Sequence, residues 1–332
     1  MKRVGRLTER IYDMDNLLLA FHKAARGKWQ KREVMIYAAN LEDNLHELSL
    51  QIRSGDVQVG DYTYFNVYDP KLRTICAASF PERVLHHAIM NVCHAVFERH
   101  FIYTTYATRP RKGVYAALDR ACKAMKKYSY VGKFDVRHYF DSIDHTILKN
   151  KLSRLFKDKT LLEIFFRIID SYEREQENKG LPIGNLTSQY FANYYLSDFD
   201  HWCKETLKAE EYIRYMDDFL VFCTNHSSLT SNAYAINDYM NASLALRLKP
   251  PVFAKNGNGV SFLGYRISNK KILLNSRSKK RLKKKMRLYE NLLENKKWTE
   301  KEYMEHITPL ISFSRYAYSK GLRREIMIND NK

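Results

Sequence analysis

The sequence predicts an α+β fold, with antiparallel strands at its centre and helices around and after them. Three observations carry this reading. RYMDDFLVF (214–222) sets two adjacent acids, Asp217 and Asp218, between apolar runs rich in aromatic and branched residues, the pattern of a buried hairpin. YVGKFDVRHYF reads as a strand emerging at Asp135, with a helix starting near Asp144. The C-terminal stretch then loses all strand character: from Arg277 to Arg287, eight of eleven residues are Lys or Arg.

The other elements follow in chain order. Ile36, Leu41, Leu45, Leu48 and Ile52 mark one helix over 33–54, stopped by Gly55. YTYFNVYDPKLRTICA reads as a hairpin with Asp69-Pro70 at its turn. FPERVLHHAIMNVCHAVFERHF is helical, with Leu85, Ile89, Val92 and Val96 on one stripe. In the basic tail, Leu282, Met286, Tyr289 and Leu293 form a single apolar stripe. Thr299 and Glu302 suit a capping box, and Thr308-Pro309 suits the start of a further helix.

Composition bounds the function. The chain has 332 residues, 45% of them hydrophobic, enough for a large core divided over subdomains. Lys and Arg number 56 against 37 acids, a formal charge of +19. Such a chain meets a polyanion, most commonly nucleic acid, with an anionic membrane surface as the alternative. No apolar run reaches the ~18 residues of a spanning helix, and NLLLAF is too short for a signal peptide. Cysteines 76, 93, 122, 203 and 223 form no CxxC pair, which argues against a zinc site or a disulfide framework and for a reducing compartment. With 12 Gly, 7 Pro and no repeats, the chain reads as one multi-lobed unit.

Why place carboxylates at the ends of buried strands? Three acids from two segments can hold a pair of hard divalent cations, because magnesium prefers oxygen ligands and leaves positions for substrate phosphates. Two such ions ~3.5–4 Å apart stabilise both the attacking and the leaving oxygen of a phosphoryl transfer. Taken singly, each segment has a plain structural reading: Asp-Asp is common at turns, and DVRHYFDSIDH suits the solvated start of a helix. Together, about 80 residues apart in a chain of charge +19, they are harder to explain that way.

Tyr215-Met216-Asp217-Asp218 resembles the YxDD signature of reverse transcriptases, and FDVRHYFDSIDH resembles their first palm motif. The resemblance implies a right-hand polymerase: fingers over 1–129, palm over 130–274 with an interleaved fingers segment around 145–190, and a basic helical thumb over 275–332. It implies Asp135, Asp217 and Asp218 as catalytic metal ligands, joined by the backbone carbonyl of Val136, for two Mg²⁺ ions with Mn²⁺ as a substitute. Phe140, five residues after Asp135, would occupy the space of a ribose 2′-hydroxyl and so favour deoxynucleotides. VSFLGYRI is similar to the primer-grip motif, placing Phe262, Leu263 and Gly264 against nucleic acid beside Tyr215 and Met216. KLRTICAASFPERVLHHAI and YATRPRKGVYAAL resemble fingers motifs, making Arg73 a triphosphate contact and Arg109 a template contact. Lys249 matches the lysine expected near the triphosphate, with Lys255 as runner-up and a solvated loop lysine as the plain reading. Lys279, Lys280, Lys283 and Lys284 of the basic helix are candidate phosphate contacts.

LPIGNLTSQYFANYYLSDFDH (181–201) separates lineages. Reverse transcriptases related to group II introns carry Gln-Gly-x-x-x-Ser-Pro here. This chain keeps Gly184 and Ser188 but has Ile183 and Gln189 in place of the glutamine and proline. That form resembles the reverse transcriptases of diversity-generating retroelements, so Ile183, Gly184 and Gln189 are expected at the nucleotide. The resemblance implies error-prone cDNA synthesis from a template-repeat RNA and deoxynucleoside triphosphates. It also implies a pentameric basic accessory variability protein as partner, and a cytoplasmic, prokaryotic or phage setting with no membrane. A compact group II intron-like or retron-type enzyme is the alternative. A non-enzymatic RNA-binding scaffold would explain the charge but not three retained acids.

Overall fold

A computed structural model of the chain describes residues 3–68, 72–172 and 177–329. In chain order, α1 (Thr8–Ile11), α2 (Met14–Ala25), α3 (Arg32–Ala39) and α4 (Leu41–Ser54) precede the ribbon β1 (Tyr62–Tyr68) and β2 (Leu72–Ala78). Then come α5 (Phe80–His100), α6 (Val114–Lys127), β3 (Tyr130–Asp135), α7 (Tyr139–Ser142), α8 (His145–Leu155), α9 (Lys159–Asp170), α10 (Leu186–Tyr195) and α11 (Ser197–Glu205). The hairpin β4 (Glu211–Tyr215) and β5 (Asp218–Cys223) leads to α12 (His226–Leu244) and β6 (Val252–Lys255). A small meander, β7 (Val260–Phe262), β8 (Tyr265–Ile267) and β9 (Ile272–Leu274), precedes α13 (Ser276–Glu294), α14 (Glu300–Arg315) and α15 (Lys320–Asn329).

The chain forms two compact units. The first gathers Met1–Arg109, Val136–Thr206 and Ile236–Leu248. Its helices bury the expected stripes: Leu85, Ile89, Val92 and Val96 on α5, and Leu45, Leu48 and Ile52 on α4. The helix expected over 33–54 is two helices. Asn40 leaves helical geometry at φ −124° and ψ 46°, and the side chain of Asn44 reaches back to cap the carbonyl of Tyr37 at 2.9 Å. Ile36, counted into the stripe, is 60% exposed as a result. Gly55 ends α4 at φ 79°, a conformation in which a Cβ would be strained. β1 and β2 pair antiparallel from Tyr62 opposite Ala78 to Tyr68 opposite Leu72. The Asp69-Pro70 turn lies outside the described residues.

The second unit gathers Pro110–Asp135, Leu207–Ala235 and Lys249–Lys332. Its core is an antiparallel sheet in the order β4-β5-β3-β6. Tyr212, Ile213 and Phe219–Phe222 are fully buried, and Phe134 stacks on Phe219 at 5.1 Å. Residues 110–129, read as fingers from the sequence, fall in this unit, where α6 packs on β4 and Arg120 pairs with Glu211 at 2.6 Å. The Thr299–Glu302 capping box forms at the start of α14. Pro309 starts no new helix; it lies inside α14, which continues to Arg315. Burial of Ile307 and Ser314 on either side, and the Tyr265 hydroxyl bonding the Phe313 carbonyl at 2.8 Å, hold that helix together across the missing N–H. Among the described residues no helix is long and apolar enough to cross a membrane, and all five cysteines are free thiols.

Candidate active site

The register of β3 against β5 sets Asp135 directly opposite Asp218. Directly opposed residues of an antiparallel pair hold their Cβ atoms about 4.5–5.5 Å apart. Tyr215 pairs with Asp218 across β4 and β5, so Met216 and Asp217 form a two-residue turn. Met216 takes the left-handed conformation (φ 57°) that such tight hairpins demand and that glycine or asparagine usually supplies. Arg214, wholly buried, donates from Nη1 to the Met216 carbonyl at 2.9 Å and braces the turn. All three acids therefore stand at one end of one sheet.

Among the described residues, no three His, Cys, Asp or Glu side chains are gathered as an ion-binding cluster. Two ammonium groups hold the carboxylates instead. Lys249 forms an ion pair with Asp135 Oδ1, and its backbone N–H bonds the Asp135 carbonyl at 2.9 Å. Lys133 bonds Asp218 Oδ2 at 3.0 Å. The donor set still suits a hard cation: it is all carboxylate oxygen, and Asp218 Oδ1 is buried with no hydrogen-bond partner.

In the first unit, backbone bonds fix two of the predicted nucleotide positions. The Leu181 N–H bonds the carbonyl of half-buried Phe140 at 2.9 Å, and the Cys76 N–H bonds the Ile183 carbonyl at 2.8 Å. Cys76 lies on β2, which presents Arg73 exposed three residues earlier. Gly184, at φ 130°, presses so close that a Cβ would meet the Cys76 carbonyl oxygen at 2.7 Å. Gln189 is exposed on α10. In the second unit, Phe262 is buried, and Leu263 and Gly264 form the turn between β7 and β8 with φ of 48° and 89°. Lys279, Lys280 and Lys284 are exposed on α13, whereas Lys283 pairs with Glu325 at 2.6 Å. Arg109 departs from its expected role. Its guanidinium is spent on Glu98 at 2.8 Å and on the carbonyls of Ile102 and Thr105, with 6% of the side chain exposed, so its hydrogen bonds serve the fold.

The reverse transcriptase (RNA-dependent DNA polymerase) family matches residues 68–267, more than half of the chain. The chain belongs to this family. It is 19% identical over 333 residues to a COX1/OXI3 intron 2 protein of Saccharomyces cerevisiae, covering 79% of this chain and 39% of that protein. It is 21% identical over 135 residues to the group II intron-encoded protein LtrA of Lactococcus lactis, covering 39% of this chain and 22% of that one. The chain thus spans two fifths or less of these relatives' length. A structure of telomerase from Candida albicans shares its fold, with a TM-score of 0.51 at 13% identity over 71% of this chain and 51% of that one. This is the mixed helix-and-sheet fold of right-hand polymerases.

Several residues packed around these positions were not singled out from the sequence. Lys133 and Arg214 both sit in strands that otherwise read as buried, and a charge at an inward position was the available signal. In the motif 183–189, the side chains of Asn185, Thr187 and Ser188 are buried with no hydrogen-bond partner, although polar atoms are seldom left so.

Burial of Asp218 is the main force pushing its carboxyl up to about 7; the Lys133 ammonium opposes it, and the charges of Asp135 and Asp217 add to it. The folded chain therefore binds this proton more tightly than the unfolded chain, and stability falls as pH rises from about 4 to about 7. Asp218→Asn removes this dependence. Between pH 5 and pH 8 the stability difference, variant minus wild type, is expected to move in the variant's favour by on the order of 1 kcal/mol, or about 2–4 °C in melting temperature. Parallel melting curves without divalent metal check it, and a difference constant with pH would count against this placement of the charge.

Proposed function

We propose that the chain is an RNA-directed DNA polymerase that copies a template-repeat RNA into adenine-mutagenised cDNA for a diversity-generating retroelement. The observation that carries the polymerase reading is the pairing of Asp135 with Asp218 beside the Met216–Asp217 turn. The retroelement reading rests on Ile183 and Gln189, which replace the glutamine and proline of intron-type enzymes. Resemblance to the intron-encoded relatives favours the second reading, a compact group II intron-like enzyme with another RNA template.

In this reading Asp135, Asp217, Asp218 and the Val136 carbonyl hold two Mg²⁺ ions, or Mn²⁺, which when bound neutralise charge on the reacting phosphate and hydroxyl oxygens. Arg73 orients the triphosphate. Phe140 excludes a 2′-hydroxyl, and Ile183, Gly184 and Gln189 shape the floor under the nascent pair. The buried polar groups of Asn185, Thr187 and Ser188 support a ligand there, since an incoming polar partner would satisfy them. Lys249, paired with Asp135 here, would have to leave that carboxylate to reach a phosphate. Fingers, palm and thumb divide near residues 129 and 274, and Tyr215, Met216 and the Leu263–Gly264 turn face the primer–template. The working partner is the basic accessory variability protein, and the setting is the cytoplasm. Primer extension on an adenine-containing RNA, with sequencing of the product, tests the reading. Faithful cDNA favours the intron-like alternative, and no cDNA removes both.

The basic helix α13 supplies a further test. Each phosphate contact makes log K fall with log salt by roughly 0.7–0.9. Replacing Lys279, Lys280, Lys283 and Lys284 with Ala is expected to lower the slope for a primer–template by about 2–3, chiefly through the three lysines with no acidic partner among the described residues. An unchanged slope, measured by titrating salt at constant temperature, would mean that this face does not meet the duplex.

A further inference from the structure

A cavity of about 460 Å³ in the second unit is lined by the last turn of α6, the β8–β9 turn and the segment between α14 and α15. Lys126, Asn269, Lys270, Lys271, Tyr316 and Tyr318 are in its wall. It sits at the far end of the sheet from the three acids. The Ser129 carbonyl, just before β3, accepts from the Asn256 N–H, and the Asn256 carbonyl accepts from the Asn269 N–H at 3.1 Å. The six residues of β3 therefore put roughly 17 Å between this end and Asp135.

Local chemistry turns the cations of the cavity outward. The Ser268 hydroxyl accepts from the Lys271 N–H at 3.2 Å, a serine turn that leaves the side chains of Lys270 and Lys271 exposed. Lys126 is exposed on the last turn of α6, where the helix dipole favours a cation. No such dipole accounts for the two lysines of a strand turn. The one acid of α6, Asp119, accepts from the Tyr316 hydroxyl. Among the described residues no carboxylate lies within ion-pair distance of Lys126, Lys270 or Lys271.

Two further observations narrow the ligand. The Tyr318 ring is 80% exposed, while its backbone N–H is fixed to the Ile272 carbonyl at 2.8 Å. An open ring on a fixed backbone beside lysines is a platform on which unpaired bases stack. Asn269 Oδ1 is buried with no hydrogen-bond partner, an acceptor in want of a donor. A ribose 2′-hydroxyl can donate to it, and a DNA backbone cannot. An acidic peptide or an anionic lipid headgroup would use the lysines and leave the ring idle.

We propose that this cavity holds single-stranded RNA, with a base on Tyr318 and phosphates on the three lysines, apart from the primer–template. That this RNA is the unpaired flank of a template rests on the polymerase reading; the RNA site itself does not.

The test saturates the full-length chain with an unlabelled blunt primer–template duplex, then titrates it with a labelled oligouridylate of about 12 nucleotides, followed by anisotropy. Tyr318→Ala is expected to weaken oligouridylate about tenfold or more, and Tyr318→Phe, which keeps the ring, to bind within about twofold of wild type. Lys126→Ala/Lys271→Ala is expected to lower the slope of log K against log salt by about 1.4, twice the single-strand value per phosphate. Affinity for the blunt duplex alone is expected to stay unchanged in all three, and oligothymidylate to bind several-fold more weakly than oligouridylate. Tyr318→Leu serves if the alanine variant fails to fold, as judged by circular dichroism. Wild-type affinity in a folded Tyr318→Ala overturns the proposal, as does equal loss in Tyr318→Phe or equal loss of duplex binding. Oligothymidylate bound as tightly as oligouridylate overturns it too. Displacement of the RNA by oligoglutamate or by phosphatidylserine vesicles at equal charge would give the surface to an acidic protein or a lipid instead. RNA held here by a chain that makes no cDNA would refute the polymerase reading and leave the site standing. Primer extension by a chain whose RNA binding ignores Tyr318 would do the reverse.

Discussion

Asp217→Asn is expected to abolish primer extension in Mg²⁺ while RNA affinity stays within about twofold of wild type. The substitution keeps the size of the side chain and removes its charge. Asp217 is the second residue of a turn whose shape is set by the Tyr215–Asp218 pairing and by Arg214 on the Met216 carbonyl, neither of which the change touches. The hairpin should therefore survive. What is lost is one of three carboxylates at the sheet end and, under the proposed two-metal reading, a ligand for divalent cations. Metal ions contribute several kcal/mol of charge stabilisation to phosphoryl transfer, so a loss of roughly a thousandfold or more follows. Binding to RNA draws on the +19 of the whole chain, which the substitution makes more positive by one. Extension and filter binding on one homopolymer template separate the two effects. Appreciable residual synthesis, or a collapse of both together, would remove Asp217 from the metal site.

Ile183→Gln is expected to lower misincorporation opposite template adenine by about tenfold with synthesis preserved. A glutamine amide offers donors and an acceptor that can hold a nascent pair in one geometry, and isoleucine offers neither. A difference of about 1.4 kcal/mol in discrimination is a factor of ten in error rate, so a single contact suffices. The structure makes the experiment clean. The Ile183 carbonyl accepts from the Cys76 N–H on β2, and Gly184 is packed against the Cys76 carbonyl oxygen. The side chain itself is only half-buried, so glutamine can enter without burying an unpaired amide. Sequencing cDNA made by both forms on one adenine-containing RNA reads the outcome. Coincident error spectra from two active enzymes would mean that Ile183 does not set fidelity, and under the retroelement reading would point to Arg73 or to the proposed accessory partner.

The sequence by itself determined the local elements and the inventory of acids. Continuous apolar runs on either side of Asp217 and Asp218 produced the buried β4–β5 hairpin, and the strand ending at Asp135 is likewise largely buried. The capping box at Thr299 and the glycine stop at Gly55 are local chemistry, complete within a few residues, and both appear where the residues put them. Motif order along the chain was enough to place it in a family.

Partner choice belonged to the tertiary structure. Whether Lys249 meets a phosphate or a carboxylate depends on Asp135, 114 residues away, and no local pattern encodes that distance. Arg109 looks free in sequence, yet Glu98 and two carbonyls claim it once a turn of chain brings them within reach. Pro309 looked like a helix start because its missing N–H is harmless there; packing of Ile307 and Ser314 overrode that local preference. Asn40 went the other way: its backbone leaves helical geometry where hydrophobic spacing alone would have continued the stripe, and the Asn44 amide takes the Tyr37 carbonyl. Charge balance is a property of the assembled surface, decided by which side chains the fold brings within a few ångströms of one another.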